Sequence, residues 1–546
     1  MNLSFIVSMA FIFSISPYHI GQIKGNDNSP TISIIVHMKE QLNISNINGN
    51  ISQSDLIILL QKYANIHQQN IMGFLSSKPE EVEDLRSFWI FNGLSLKTTK
   101  SILQLLAKRD DIDYITLDSS IVLDETKFKQ ITTSSNRDPG WNIKIIEADS
   151  CWTAGYTGSN IIVGTLDSGI DTSHAAVRGK WVPGGWYDAV NGYPYPYDDL
   201  GHGLFTMGII CGGDGLGPSP DDIGVAPDVK FICAKAFDSM GAATLSDVHN
   251  SFQWLATQGA RIICCPWEEN STTSLEFWND CLNLRTLNKI PVFKIGTRGN
   301  APPNSAKTPA NYPFLLGIGT TDSLDDRVNW SCRGPAPNQN PWNDTTYWIR
   351  QDWNFIKPDI VAPGISIRSA ELGGGYGLSD GTAWSAAHAA GAIAILLQKD
   401  STLNISDVNL LLCDNADHPA QGAPYPNNDY GWGRLNIYAS LQHIPNVKET
   451  PNGLLLSNFS LHPSIFRGGL HINILSSQNE EININIYDIS GRSIRKIIIP
   501  IAGNPNMFDY VWDGTDDKNQ SVPSGVVFIE YACGNKKEVK KAIIVR

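Results

Sequence analysis

Hydrophobic and polar positions change rhythm along the chain. Leu3 to Ile15 is a mostly apolar run, long enough for the core of an export signal and short for a bilayer span. Thr31 to Met38 is a β-type apolar run, and Asp55 to Tyr63 is apolar and helix-compatible. Phe88-Trp89-Ile90-Phe91 predicts a strand, Ile102, Leu105 and Leu106 recur at helical spacing, and Tyr114-Ile115-Thr116-Leu117 predicts another strand. The order β, α, β, α, β predicts a small ferredoxin-like α+β layer. Val163 to Leu166 then reads as a short apolar strand that delivers Asp167 at its end. In the last hundred or so residues the period becomes two: Ile482, Ile484 and Ile486 alternate with Asn483 and Asn485, and the turn Asp488-Ile489-Ser490-Gly491 follows. Gly525 to Tyr531 and Ala542 to Arg546 continue an all-β pattern.

The chain has 546 residues, more than one core usually supports, so about two to four domains are expected. Charged residues are 17%, and 41 basic against 54 acidic side chains leave −13, which argues against nucleic acid or an anionic membrane as partner. Nine cysteines, an odd number without a C-x-x-C pair, predict neither a disulfide framework nor a zinc centre; most should be small buried residues. No segment after the first run approaches a membrane-spanning helix, and no Lys or Arg precedes Lys24. A cleaved secretory signal is expected, with an uncleaved anchor as the alternative.

Three segments carry candidate chemistry. Val163-Gly164-Thr165-Leu166-Asp167-Ser168-Gly169-Ile170, Gly201-His202-Gly203-Leu204-Phe205-Thr206-Met207-Gly208-Ile209-Ile210 and Gly381-Thr382-Ala383-Trp384-Ser385-Ala386-Ala387-His388-Ala389-Ala390-Gly391 follow in that order. Together they resemble the aspartate, histidine and nucleophile motifs of the subtilisin-like serine peptidases, the subtilases, whose chain order is also Asp, His, Ser. Ile223 to Pro227, Ser331 to Pro335, Lys357 to Gly364 and Tyr430 to Asn436 are similar to further family stretches, so the resemblance covers roughly residues 136 to 445. It implies an α/β fold: a parallel sheet flanked by helices. In such a triad the hydroxyl attacks, the imidazole takes its proton and the buried carboxylate holds the imidazole's tautomer. The resemblance assigns the last two roles to His202 and Asp167.

Ala383 stands where the attacking serine belongs, and a methyl group cannot attack a carbonyl. Thr297, in Pro291-Val292-Phe293-Lys294-Ile295-Gly296-Thr297-Arg298-Gly299, stands where the family has its oxyanion-binding asparagine. Pro266-Trp267-Glu268-Glu269 replaces the strand S-W-G-G or S-L-G-G that walls the main specificity pocket, placing two carboxylates where glycines let a peptide approach. Phe205 replaces the second histidine of its motif. Ser385 lies two helical positions past Ala383, turned by about 200°, so it should face away from His202.

The resemblance extends outward. Residues 1–25 are expected as signal peptide, 30–125 as a propeptide-like inhibitor domain docked on the subtilase domain, 126–137 as junction, 138–445 as the subtilisin-like domain and 446–546 as a C-terminal β-sandwich. Trp512-Asp513-Gly514-Thr515 and the Gly525 to Tyr531 strand resemble the immunoglobulin-like modules of secreted bacterial proteins, linked to sorting or cell-surface attachment; a plain spacer is the alternative. Calcium, common in the family, is implied by resemblance alone; Asp198, Asp199, Asp221 and Asp222 sit in loops that could supply oxygens, no metal ligand is assigned, and no other cofactor is expected. Two functions follow: an exported, non-catalytic homologue serving as a binding or structural scaffold for a peptide or protein, or a working hydrolase using Asp167 and His202 in an unorthodox site.

Overall fold

The computed structural model describes residues 31–42, 52–123, 129–130, 139–215, 222–350, 355–444, 459–462, 465–466, 470–476, 482–489, 491–499, 506–533 and 536–544. The expected signal peptide, Asp221 and most of the 126–137 junction lie outside them. The chain divides into two units, Met1–Val447 and Lys448–Arg546.

The first unit opens with β1 (Thr31–Met38), α1 (Gln53–Ser76), β2 (Val82–Phe88), β3 (Gly93–Thr99), α2 (Lys100–Leu106) and β4 (Ile112–Leu117). The strands form an antiparallel sheet in the order β2-β3-β1-β4. Ile34, Val36, Leu94 and Leu96 share a core with Ile71, Leu75, Ile102 and Leu106. The Ser52 hydroxyl caps α1 by accepting the Asp55 amide at 3.1 Å, and Leu60, Ala64, Gln68, Ile71 and Leu75 give it a buried stripe past Tyr63. Phe88-Trp89-Ile90-Phe91, expected as a strand, is corrected. Phe88 ends β2, and residues 89–92 form the turn into β3. The run is apolar because this turn is buried: Trp89 N donates to Gln253 Oε1 (2.7 Å) and Asn283 Nδ2 donates to Ile90 O (2.5 Å). A short apolar run records burial without specifying the backbone.

Two short strands follow, β5 (Ser120–Val122) and β6 (Lys129–Gln130), then α3 (Trp141–Ile145) and α4 (Ala148–Thr153). The body contains β7 (Ile162–Asp167), β8 (Trp181–Asp188), α5 (His202–Cys211), β9 (Lys230–Lys235), β10 (Ala242–Thr244), α6 (Leu245–Thr257), β11 (Ile262–Cys265), α7 (Trp278–Thr286), β12 (Ile290–Lys294), β13 (Leu316–Thr321), β14 (Ile360–Pro363), β15 (Ile367–Glu371), β16 (Gly375–Ser379) and α8 (Thr382–Lys399). Seven strands pair in parallel in the order β14-β13-β12-β11-β7-β9-β8. The strands are short and apolar because parallel strands are covered on both faces. Connections leave β7 toward β9 and β8 on one side and β11 on the other, so the carboxyl end of β7 opens at a reversal of strand order, where α/β sheets place ligands. α8 packs on β11 to β14, and its residues Thr382 to Leu397 are all buried, as suits a helix apolar all round.

In the second unit, β17 (Phe459–His462), β19 (Leu470–Ser476) and β22 (Asn506–Trp512) form one sheet, and β18 (Ile465–Phe466), β24 (Lys536–Ile544), β23 (Gly525–Cys533), β20 (Ile482–Asp488) and β21 (Ser493–Ile499) form another. Ile482, Ile484 and Ile486 are buried with Leu470, Ile472, Trp512 and Ile529 in a core drawn from both sheets. Trp512 Nε1 donates to Thr515 O at 2.8 Å, which gives the Trp-Asp-Gly-Thr turn its local logic.

Candidate functional site

Asp167 ends β7 and is fully buried. Its Oδ1 lies 2.7 Å from His202 Nδ1 and accepts the Ser168 amide at 2.7 Å, while Oδ2 accepts the Thr206 hydroxyl at 2.9 Å. His202 opens α5 after Gly201, whose φ of +91° suits glycine. The helix approaches β7 this closely because position 203 lacks a side chain; a Cβ there would lie 2.1 Å from Gly169 O. Asp198 braces the same helix start, accepting from Leu200 N, Gly201 N, Leu204 N and Ser168 Oγ. Burial raises its pKa, against those amide bonds. Asp199 pairs with Lys235 at 2.6 Å. Both oxygens of Asp198 and Oδ1 of Asp199 are given to protein donors, and no cluster of three or more His, Cys, Asp or Glu among the described residues is arranged to hold a metal.

Ala383 is the second residue of α8 and 4% exposed. Next to it Trp384 lies over His202, ring centroids 5.0 Å apart, and against Phe205 at 4.4 Å. These two departures from the family pattern therefore touch, and Phe205 backs the indole that covers the imidazole. Among the described residues His202 Nε2 has no hydrogen-bond partner, and the nearby hydroxyls are engaged elsewhere. Ser385 Oγ bonds Ala362 O at 2.9 Å and Pro363 O at 3.1 Å and lies 2.9 Å from Thr320 Oγ1. Thr382 Oγ1 lies 2.9 Å from Thr297 Oγ1.

Glu268 and Glu269 are buried. Glu268 meets two ammonium groups, Lys294 Nζ at 2.5 Å from Oε2 and Lys307 Nζ at 3.2 Å from Oε1, and accepts the Thr297 amide at 3.1 Å. Glu269 accepts from Ser274 Oγ (2.6 Å) and Thr308 Oγ1 (3.0 Å); burial lifts its pKa to about 7 against those bonds. Trp267 is packed among Phe252, Phe277 and Phe293. Sequence reasoning missed Lys294 and Lys307. The signal available was Lys294 at the end of the apolar run Pro291-Val292-Phe293, because a lysine in a buried strand needs a partner.

A second cluster joins the N-terminal sheet to the body, and no motif announced it. Glu276 Oε1 lies 3.0 Å from His37 Nε2 on β1 and 3.1 Å from His249 Nε2 on α6; His249 Nδ1 lies 2.9 Å from Asp280 Oδ1; Thr116 Oγ1 donates to Glu276 Oε2 at 3.1 Å. Burial opposes charge on His249, but Asp280 and Glu276 hold it protonated up to about 10. Burial likewise opposes ionisation of Glu276, yet His37 and His249 hold its pKa well below the carboxylate range. Beside this cluster Asp118 accepts Ser246 N and Oγ at the start of α6. β5 then pairs antiparallel with β10, and β6 with β16. Ile121 and Leu123 turn inward and Val122 outward. The eight cysteines with described side chains are buried free thiols; Cys533 lies outside that set.

The model of the Subtilase family matches residues 158–433. Bacillopeptidase F of Bacillus subtilis (strain 168) is 26% identical over 431 residues, 72% of this chain and 29% of its own length. Subtilisin E of the same organism is 29% identical over 307 residues, 55% of this chain and 71% of its own. M-protease of Shouchella clausii (strain KSM-K16) is 27% identical over 377 residues, 69% of this chain and 86% of its own.

Proposed function

The chain belongs to the subtilase family, and from that premise we propose that it is a catalytically inactive member whose cleft serves as a binding or structural scaffold. The observation that carries this reading is Ala383, a methyl group at the start of α8 next to the Trp384 ring that covers His202, with no hydroxyl bonded to His202 Nε2 among the described residues. In subtilisin, removing the serine costs about a million-fold in turnover and removing the oxyanion asparagine about a hundred- to a thousand-fold; these are that enzyme's figures, and they do not add. Paired departures support repurposing over a single lesion: Phe205 packs on Trp384, and Glu268 is matched by Lys294 and Lys307.

On this reading the N-terminal layer is a propeptide-like domain, and because the chain lacks the nucleophile for self-cleavage near Phe128 to Arg137, that junction persists or is cut by another protease. The buried His37–Glu276 contact and the β5–β10 pairing support retention. The protein is exported, bacterial, and carries a C-terminal immunoglobulin-like module for sorting or spacing. No helix among the described residues is long and apolar enough to cross a membrane. The retained Asp167–His202 pair, at 2.7 Å, favours a second reading as an unorthodox hydrolase; it is equally what a buried pair does for a core, since removing one partner strands the other. A serine-directed phosphonate followed by peptide mapping separates the two. No labelled peptide is expected, and a modified hydroxyl near His202 would establish the hydrolase.

A further inference from the structure

The loop from β8 to α5, residues 189–201, carries tyrosine rings that neither the Asp167–His202 pair nor the core uses. Tyr193 is 48% and Tyr195 56% exposed. Their ring planes lie within 6° of parallel at a centroid separation of 5.6 Å, and Tyr197 stands 5.7 Å from the first and 6.3 Å from the second. Trp186, half-buried on the edge strand β8, extends the row at 5.8 Å from Tyr197. Rings scattered singly over a surface need no explanation, whereas a contiguous exposed patch marks an interaction site.

The row is braced from beneath. Asp188 Oδ2 accepts the Tyr193 amide at 3.1 Å and the Tyr197 hydroxyl at 3.0 Å, while its Oδ1 accepts the Val190 and Asn191 amides. Trp186 Nε1 donates to Tyr193 O at 2.9 Å, and Asn191 Nδ2 donates to Tyr197 OH at 2.8 Å. Pro194 and Pro196 fix φ on either side of Tyr195. Rings presented on so constrained a backbone lose little freedom when a ligand lands on them. The same bonds spend the nearby charge: both oxygens of Asp188 and of Asp198 are taken by protein donors, and Asp199 Oδ1 is paired with Lys235, whose Nζ lies 4.8 Å from the Tyr197 ring centre. The phenol groups of Tyr193 and Tyr195 have no hydrogen-bond partner among the described residues.

We propose that Tyr193, Tyr195, Tyr197 and Trp186 form a platform for a neutral, extended pyranose oligosaccharide. A pyranose has an apolar face of C–H bonds and a rim of hydroxyls, and the platform offers the complement of each: aromatic surface for the face, unspent phenols for the rim, and little free charge to desolvate. A proline-rich helix, another guest of tyrosine rows, repeats every three residues of about 3.1 Å, or about 9 Å, which overshoots the 5.6 to 6.3 Å between these rings. The platform requires neither an active nor an inactive centre at position 383, so it stands apart from the scaffold reading.

The test is isothermal titration calorimetry on the full chain with cellohexaose, N-acetylchitohexaose and decaproline. At least one of the two sugars is expected to bind with a millimolar or lower Kd, more tightly than decaproline, and with little dependence on salt, because no ion pair forms. Tyr193→Ala with Tyr195→Ala should weaken that binding about tenfold or more, and Tyr195→Phe, which keeps the ring, should stay within about threefold of the parent. Both tyrosines are exposed, and unchanged circular dichroism melts confirm that a loss of binding is not a loss of fold. Absence of binding by both sugars at millimolar concentration overturns the proposal, as does sugar binding that survives the double substitution. Tighter binding of decaproline than of either sugar overturns it in favour of a peptide guest. None of these results bears on Ala383, whose reading is decided by the phosphonate experiment.

Discussion

Replacing Lys294 and Glu268 singly and together tests whether their buried pair was assembled as a unit. At 2.5 Å and an effective dielectric of about 20, their attraction is about 7 kcal/mol. Desolvation costs several kcal/mol for each ion, so the intact pair contributes little net stability over a well-packed neutral pair. Removing one partner is different. Lys294→Met leaves a carboxylate that still has Lys307 and the Thr297 amide, placing its cost near the lower end of the 3–5 kcal/mol typical of breaking a buried pair, about 3 kcal/mol. Glu268→Gln removes the carboxylate from a lysine whose side chain is 1% exposed, and about 4 kcal/mol is expected, within the range for breaking a buried pair. The double substitution removes both charges and should cost only about 2–3 kcal/mol, leaving a coupling energy of about 4–5 kcal/mol. Urea unfolding followed by tryptophan fluorescence gives the four stabilities, provided the slope with denaturant is unchanged. Single costs that add within about 0.5 kcal/mol would refute the reasoning, because independent sites behave that way.

Ala383→Ser restores a hydroxyl beside His202, and phosphonate labelling should appear at position 383; Thr297→Asn in that background should raise its rate by up to about a hundred-fold, read by mass spectrometry of the probe adduct. His249 has its folded pKa raised from 6.5 to about 10, so its contribution is fully present below pH 6.5 and is lost as pH rises through 10. His249→Gln should flatten that alkaline decline in thermal unfolding. Glu269, raised from 4.5 to about 7, binds its proton more tightly when folded, so stability falls between pH 4.5 and 7; Glu269→Gln should remove that slope. Gly203→Ala puts a methyl 2.1 Å from Gly169 O, and circular dichroism melts should report a loss of about 3 kcal/mol, the upper range for overpacking.

Much of the body was legible because its information is local. Asp167 at the end of an apolar strand, His202 after Gly201 and Ala383 after Gly381-Thr382 are read by order and spacing, and the period-two isoleucines of β20 declare which face is buried. The Phe88 to Phe91 run was misread because burial of a turn and burial of a strand select the same residue types.

By itself, the sequence determined the parallel α/β core, the family and the absence of an oxygen at position 383, since each depends on residue identity at a recognisable spacing. Only the tertiary structure decided what the substitutions do to one another. Glu268 with Lys294 and Lys307, Phe205 with Trp384, and His37 with Glu276 and His249 are far apart in sequence and become partners when strands and helices pack. Charge pairing and ring contact act over a few ångströms of space, and no period along the chain encodes them.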